Sequence, residues 1–185
     1  MLPILILAAV AVLPMVYVIV NYNRLVTVRT HLRESWSDID VELKRRYELV
    51  PNLVETVKGY AAHERAVMEE VTRLRNQAAQ PHASPTQQSL DESALEIGVH
   101  KLLAVAEAYP DLKADTHFLA LQKELSLTED RIAAARRFYN GNVRDLNELC
   151  QAFPTNLIAG LFGFEPTGYF QLDSDAPRAA PQIRI

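Results

Sequence analysis

Residues 36–64 read WSDIDVELKRRYELVPNLVETVKGYAAHE, and the spacing inside this stretch decides the fold. Trp36, Ile39, Leu43, Tyr47 and Val50 recur in steps of three and four, with charged residues between them. That spacing is the mark of one buried face on an α-helix. The stripe continues upstream through Leu32, Val28 and Leu25. Steps arranged in this way repeat every eleven residues, about 3.67 per turn, which keeps the stripe on one side of a straight helix. No glycine or proline interrupts residues 21–50. Asp40 with Lys44, and Glu42 with Arg46, are spaced as i,i+4 ion pairs on the wet side.

Pro51 carries no N–H and disfavours helical geometry in the residue before it, so the spacing predicts a break or kink at Val50. Asn52 then stands as the cap of a second helix, with Glu55 in the capping-box position. Leu53, Val57, Tyr60, Val67, Val71 and Leu74 mark the apolar face of that helix. Gly59 inside it costs about 1 kcal/mol relative to alanine and implies the close approach of a neighbouring helix.

Toward the N-terminus, Leu2–Val20 is nineteen residues without a charge. As a helix it spans about 28 Å, against roughly 30 Å of hydrocarbon in a bilayer. Only Met1 precedes it, so the basic region that opens a secretory signal peptide is missing. Cleavage at the Ala9-Val10-Ala11 triplet leaves most of a hydrophobic segment behind, and no cysteine lies nearby for lipid attachment. The reading is a retained transmembrane helix, kinked at Pro14, with residues 2–20 in the lipid bilayer. Arg24, Arg29 and Arg33 follow the span. The positive-inside rule then puts the N-terminus outside and the bulk of a single-pass chain in the cytoplasm.

Downstream, 80–88 is a polar loop with Pro81 and Pro85, and Ser89 with Glu92 fits a further capping box. Leu90, Ala94, Ile97, Leu102 and Val105 give the next helix its apolar face, and Tyr109-Pro110-Asp111 signals a turn. A long helix is expected over 115–153, with Phe118, Leu121, Leu125, Ile132, Ala135, Tyr139, Val143, Leu146 and Cys150 on its stripe. Pro154 ends it. Leu157–Phe170, LIAGLFGFEPTGYF, is rich in Phe and Gly and too short to span a membrane. Nothing alternates as a strand does. The expected fold is all-α: an N-terminal transmembrane helix followed by an elongated antiparallel bundle of long helices. It divides into an anchor (1–21), a helical domain (22–172) and a disordered tail (173–185).

The run IDVELKRRYELVPNLVETVKGYAAHE, 39–64, resembles the signature of the LemA family of bacterial membrane proteins. EAYPDLKA at 107–114, TEDRIAAARRFYN at 128–140 and FPTNLIAGLFGF at 153–164 are similar too. The resemblance implies a single N-terminal membrane helix, a cytoplasmic domain of long antiparallel helices and a place in the inner membrane. It brings with it no reaction, cofactor or catalytic residue set.

The residues themselves offer little chemistry. With 19 Lys and Arg against 23 Asp and Glu the net charge is −4, which gives no basic field for nucleic acid. The lone Cys150 excludes an intrachain disulfide and a multi-cysteine metal site. It sits on an apolar stripe near a helix C-terminus, where a buried inert thiol is expected. His63-Glu64 opens like H-E-x-x-H, but position 67 is Val. No acidic residue stands three before His31, His63, His82, His100 or His117, so the Glu-x-x-His pairs of a di-iron bundle are missing. Lys44-Arg45-Arg46 is flanked by Glu42 and Glu48 and reads as a solvated or pairing face. Asp40, Arg46, Asn52, Lys58, His63, Glu107, Asp111, Glu129, Arg136 and Asn140 suit buried or half-buried networks that fix helix register. Phe162, Phe164 and Phe170 either cover the end of the bundle or face a partner or membrane.

Three functions follow as expectations. The first is a non-enzymatic protein with no catalytic, cofactor-binding or metal residues and no cofactor, presenting a cytoplasmic helical rod to a membrane-protein partner. The alternative is an enzyme, or a ligand- or metal-binding protein, with a polar inter-helix groove around His63, Glu64, Tyr109 and Asp111. The third is self-association of the rods along the membrane.

Overall fold

The computed structural model describes the backbone of residues 2–61 and 63–172, and the side chains of Pro3, 12–61 and 63–172. The chain is all-α. Six helices follow one another: α1 Leu2–Lys58, α2 Arg65–Ala78, α3 Pro85–Ala106, α4 Pro110–Ala114, α5 Thr116–Gln151 and α6 Thr155–Leu161. No strand occurs among the described residues. The tail expected at 173–185 lies outside them.

The chain forms two compact units, and both α1 and α5 contribute to each. The first unit comprises Met1–Ser37 and Arg137–Gly168. Here Leu25 and Leu32 bury the stripe foreseen for α1, and the Trp36 ring lies 5.2 Å from that of Tyr139. Asn142 Nδ2 donates to the carbonyl of His31 (3.3 Å) and to Ser35 Oγ (3.1 Å). Residue numbers fall along α5 as they rise along α1, so the two helices run antiparallel. Asn147 fastens the returning chain by bonding both the carbonyl and the N–H of Thr167, at 3.0 and 2.8 Å.

The second unit comprises Asp38–Arg136 and Tyr169–Ile185, of which Leu172 is the last described residue. Ile39, Leu43, Val50, Leu53 and Val57 of α1 are buried here, together with Val71, Leu95, Leu102, Leu112, Leu125 and Ile132 from the other helices. Helices α2 and α3 form an antiparallel hairpin. Gln77 donates to Asp91 (2.7 Å) near its turn, and Gly98 packs farther along against Leu74 and Val71. A Cβ at Gly98 falls 2.8 Å from Leu74 Cδ1, so the close approach expected at Gly59 occurs at Gly98 instead. Asp115 caps α5, accepting from the N–H groups of His117 (2.7 Å) and Phe118 (2.9 Å). The Phe118 N–H, with the Tyr60 hydroxyl beside it, holds the Asp115 carboxyl below the usual carboxylate range.

Several expected boundaries are corrected. Helix α1 does not break at Pro51; it runs through to Lys58. The missing Pro51 N–H leaves the Tyr47 carbonyl without its helical donor, and Arg75 Nε of α2 donates to that oxygen at 2.9 Å. A tertiary hydrogen bond thus replaces the lost helical one, and Asn52 caps nothing. The break falls instead between Lys58 and Arg65, where Tyr60 is exposed and donates to Asp115 (3.0 Å). Helix α3 begins at Pro85, with Ser84 Oγ accepting from the Gln87 N–H at 3.2 Å. Ser89 and Glu92 are therefore buried positions inside α3 and not a capping box. Leu90 and Ile97 are each 52% exposed, and the buried face runs through Leu95, Val99, Leu102 and Ala106.

The expected span, Leu2–Val20, is helical throughout as the first part of α1, but the side chains of Leu2 and of 4–11 lie outside the described residues. Among the described residues no helix is long and apolar enough to cross a membrane.

Candidate functional site

The strongest concentration of polar chemistry is a buried cluster in the second unit, drawn from α1, α2, α3 and α5. Arg46, on the inward face of α1, is fully buried, and so is Glu92 of α3. One guanidinium nitrogen of Arg46 donates to both carboxylate oxygens of Glu129 on α5, at 3.0 and 3.1 Å. Its other terminal nitrogen donates to Glu92. The neighbouring Tyr47 hydroxyl lies within hydrogen-bond reach of the second Glu92 oxygen and of the Ala78 carbonyl, the latter at 2.9 Å, and its one proton serves one of them at a time. Burial works against the Arg46 charge, but Glu129 and Glu92 outweigh it and hold the guanidinium above its ordinary value. Burial also pushes the Glu92 carboxyl up, and Arg46 and Tyr47 offset only part of that rise. The same burial, with Glu92 alongside, raises the Tyr47 phenol far above its ordinary value.

This arrangement fits helices together. A planar guanidinium shared by two carboxylates fixes the register of α1, α3 and α5 at once. Arg46 and Glu129 were legible as members of a polar network. Glu92 and Tyr47 were missed, because Glu92 also completed a capping pattern and Tyr47 also completed an apolar stripe. The expected Glu42–Arg46 pair does not form, since Arg46 turns inward. Glu42 instead lies 3.8 Å from Arg45 and 3.9 Å from Arg131. Lys44 pairs with Asp40 at 2.6 Å on the exposed side, as expected.

None of the residues named for the alternative groove is fully buried. His63 and Asp111 are exposed, while Glu64 and Tyr109 are half-buried. Asn52, Lys58 and Glu107, also proposed for buried networks, are exposed, and Arg136 and Asn140 are half-buried. Among the described residues no group of three or more His, Cys, Asp or Glu side chains is placed to hold a metal ion. Cys150 is a free, half-buried thiol whose pKa is pushed up by burial.

Two clefts open in the second unit, and the first borders the cluster at Glu129. One, about 460 Å³ between α3 and α5, is lined by Glu96, His100, Glu107, Glu129 and Asp130 among others. The other, about 820 Å³ between the end of α1 and α2, has Val54 and Met68 in its lining with Glu55, Lys58, Arg65, Glu69 and Arg73 around them. In the first unit, Phe164 is buried against Tyr22 and Arg29. Phe170 is buried in the second unit, whereas Phe162 is 46% exposed. Two of the three aromatic residues thus cover the core.

The LemA family profile matches residues 35–185. The chain is 26% identical to Magnetosome protein MamQ 2 of Paramagnetospirillum magneticum, over 89% of this chain and 71% of that protein. It is 24% identical to Magnetosome protein MamQ of Magnetospirillum gryphiswaldense, over 98% of this chain and 78% of the relative. Protein LemA of Metamycoplasma hominis is 26% identical over 80% of this chain and 68% of its own length. The matched span holds the Arg46–Glu92–Glu129 cluster and all four signature runs, and the chain belongs to the LemA family.

Proposed function

We propose that this chain is a membrane-anchored protein without enzymatic chemistry, which holds its helices at the cytoplasmic face for a protein partner. One observation carries the anchor. Val12, Leu13, Met15, Val16, Tyr17, Ile19 and Val20 are all exposed, at 41 to 68%. They are consecutive enough to lie on every side of α1, and residues 2–20 carry no charge. A helix that is apolar all round is at home inside a core or a bilayer, and a water-facing one is not. Arg24, Arg29 and Arg33 follow directly and favour the cytoplasm for the domain.

The partner reading draws on the cleft between α1 and α2. Its apolar floor and alternating charges suit a protein surface better than a small apolar ligand. Lys58 lines that cleft and is exposed, so a photo-crosslinking residue at this position tests it in living cells. A discrete adduct with another protein supports the reading. Adducts with a second copy alone favour self-association, and no adduct at all counts against a partner at this cleft.

A further inference from the structure

We infer that α6 and the turn that follows it form a second membrane contact, lying in the headgroup and upper acyl region of the bilayer that α1 enters; this rests on the anchor proposed above. Residues 149–164 carry no charge. Ile158 and Ala159 are buried on the inward side of α6, and the outward side is apolar as well, where a helix packed in water shows polar groups. Thr155 is buried and Asn156 half-buried, whereas Phe153, Leu157 and Leu161 are 80, 63 and 77% exposed. Leu157 and Leu161 stand four residues apart on α6 and share one face, and Phe153 stands just before the helix. Phe162 widens the patch. An apolar face of this kind, on a helix too short to span, suits the plane of a membrane interface.

The contacts of α6 set its level. The Phe162 ring lies 4.7 Å from Tyr22 and the Phe164 ring 6.0 Å from it. Tyr22 stands two residues past the apolar run, about 3 Å along the helix axis. Aromatic side chains concentrate at this depth. Arg29 lies over the Phe164 ring at 4.4 Å, and Arg24 is exposed two residues past Tyr22 on α1, a position suited to the phosphate layer.

The patch is also held in place. Gly163 has φ +68°, and the Phe164 N–H bonds the Ala159 carbonyl at 2.9 Å, the pattern that closes a helix through a left-handed glycine. This reversal tucks Phe164 inward and leaves Leu161 and Phe162 outside. A protein partner is the competing occupant. The lack of any charge and the position beside the end of the apolar run favour lipid.

The test uses the full chain with Cys150→Ser, reconstituted in vesicles of neutral and anionic phospholipid. An environment-sensitive fluorophore is attached at Leu161→Cys, Val16→Cys or Arg137→Cys, all exposed positions. Quenching is read from lipids spin-labelled high or low on the acyl chain. The Leu161 label is expected to be quenched mainly by the shallow label, at a depth of roughly 5–10 Å. The Val16 label is expected to respond to the deep one, and the Arg137 label to neither. Quenching at Val16 with none at Leu161 leaves the anchor standing and overturns the second contact, pointing to a protein on α6. Quenching at neither position overturns both.

Discussion

Replacing Arg46 with methionine removes the guanidinium that Glu92 and Glu129 share. Glu129 is 31% exposed and turns toward water, but Glu92 is wholly buried and has no such outlet. Breaking a buried ion pair in this way costs about 3–5 kcal/mol. For a chain of this size that corresponds to a fall in melting temperature of roughly 6–20 °C. The loss is also pH-dependent, because burial already raises the Glu92 carboxyl and removing Arg46 raises it further. A carboxyl whose folded pKa lies above its unfolded value contributes stability at low pH and loses it as pH rises through the folded value. Arg46→Met is therefore expected to be closer to the parent at about pH 5 than at about pH 8. Adding Glu92→Leu removes the stranded acid and restores most of the loss, since an apolar pair of similar volume is close to neutral. Thermal unfolding of the full chain in detergent, followed by far-ultraviolet circular dichroism, reads all of these. A single variant within about 1 kcal/mol of the parent at both pH values, or a double variant no better than the single, refutes the cluster as the register-fixing element.

Three further predictions use the same assay. Arg75→Leu strands the Tyr47 carbonyl and costs about 1–3 kcal/mol, and combining it with Pro51→Ala, which returns the helical N–H, recovers most of that. Glu92→Gln flattens the decline in stability that the parent shows as pH rises from the unfolded carboxyl value through the raised folded one; an unchanged slope contradicts the assignment. Gly163→Ala costs about 1 kcal/mol from the left-handed backbone alone, because a Cβ there meets no described atom within 4 Å.

Where one residue had one physical role, the sequence was readable. Leu25, Leu32, Ile39, Leu43 and Val50 were assigned to a buried stripe and are buried, with Val28 and Trp36 half-buried; on α5, Phe118, Leu121, Leu125, Ile132, Tyr139, Val143 and Leu146 are buried and Ala135 is half-buried. The reading failed where a local signal competed with a distant partner. Pro51 carried a strong local break, and its remedy is Arg75, twenty-eight positions from Tyr47 along the chain. Ser89 and Glu92 matched a cap that Ser84 makes instead, and nothing local marks an acid whose cation lies on another helix. Gly59 and Gly98 look alike in sequence. Only the packing of α2 on α3 shows which one needs to lack a side chain. The candidate site was legible in part for the same reason: Arg46 and Glu129 are charged residues in signature runs, while Tyr47, in the same run as Arg46, also fits an apolar stripe, and Glu92, outside the runs, also fits a capping pattern.

Membrane attachment through residues 2–20 is the claim on which the rest of the functional account stands. The direct measurement compares membranes from cells that make the full chain with those from cells that make a chain beginning at residue 22, each washed with alkaline carbonate. The account predicts that the full chain stays in the membrane pellet and the shorter chain is released, because a short interfacial helix alone holds only reversibly. Release of the full chain into the wash alongside the shorter one contradicts it.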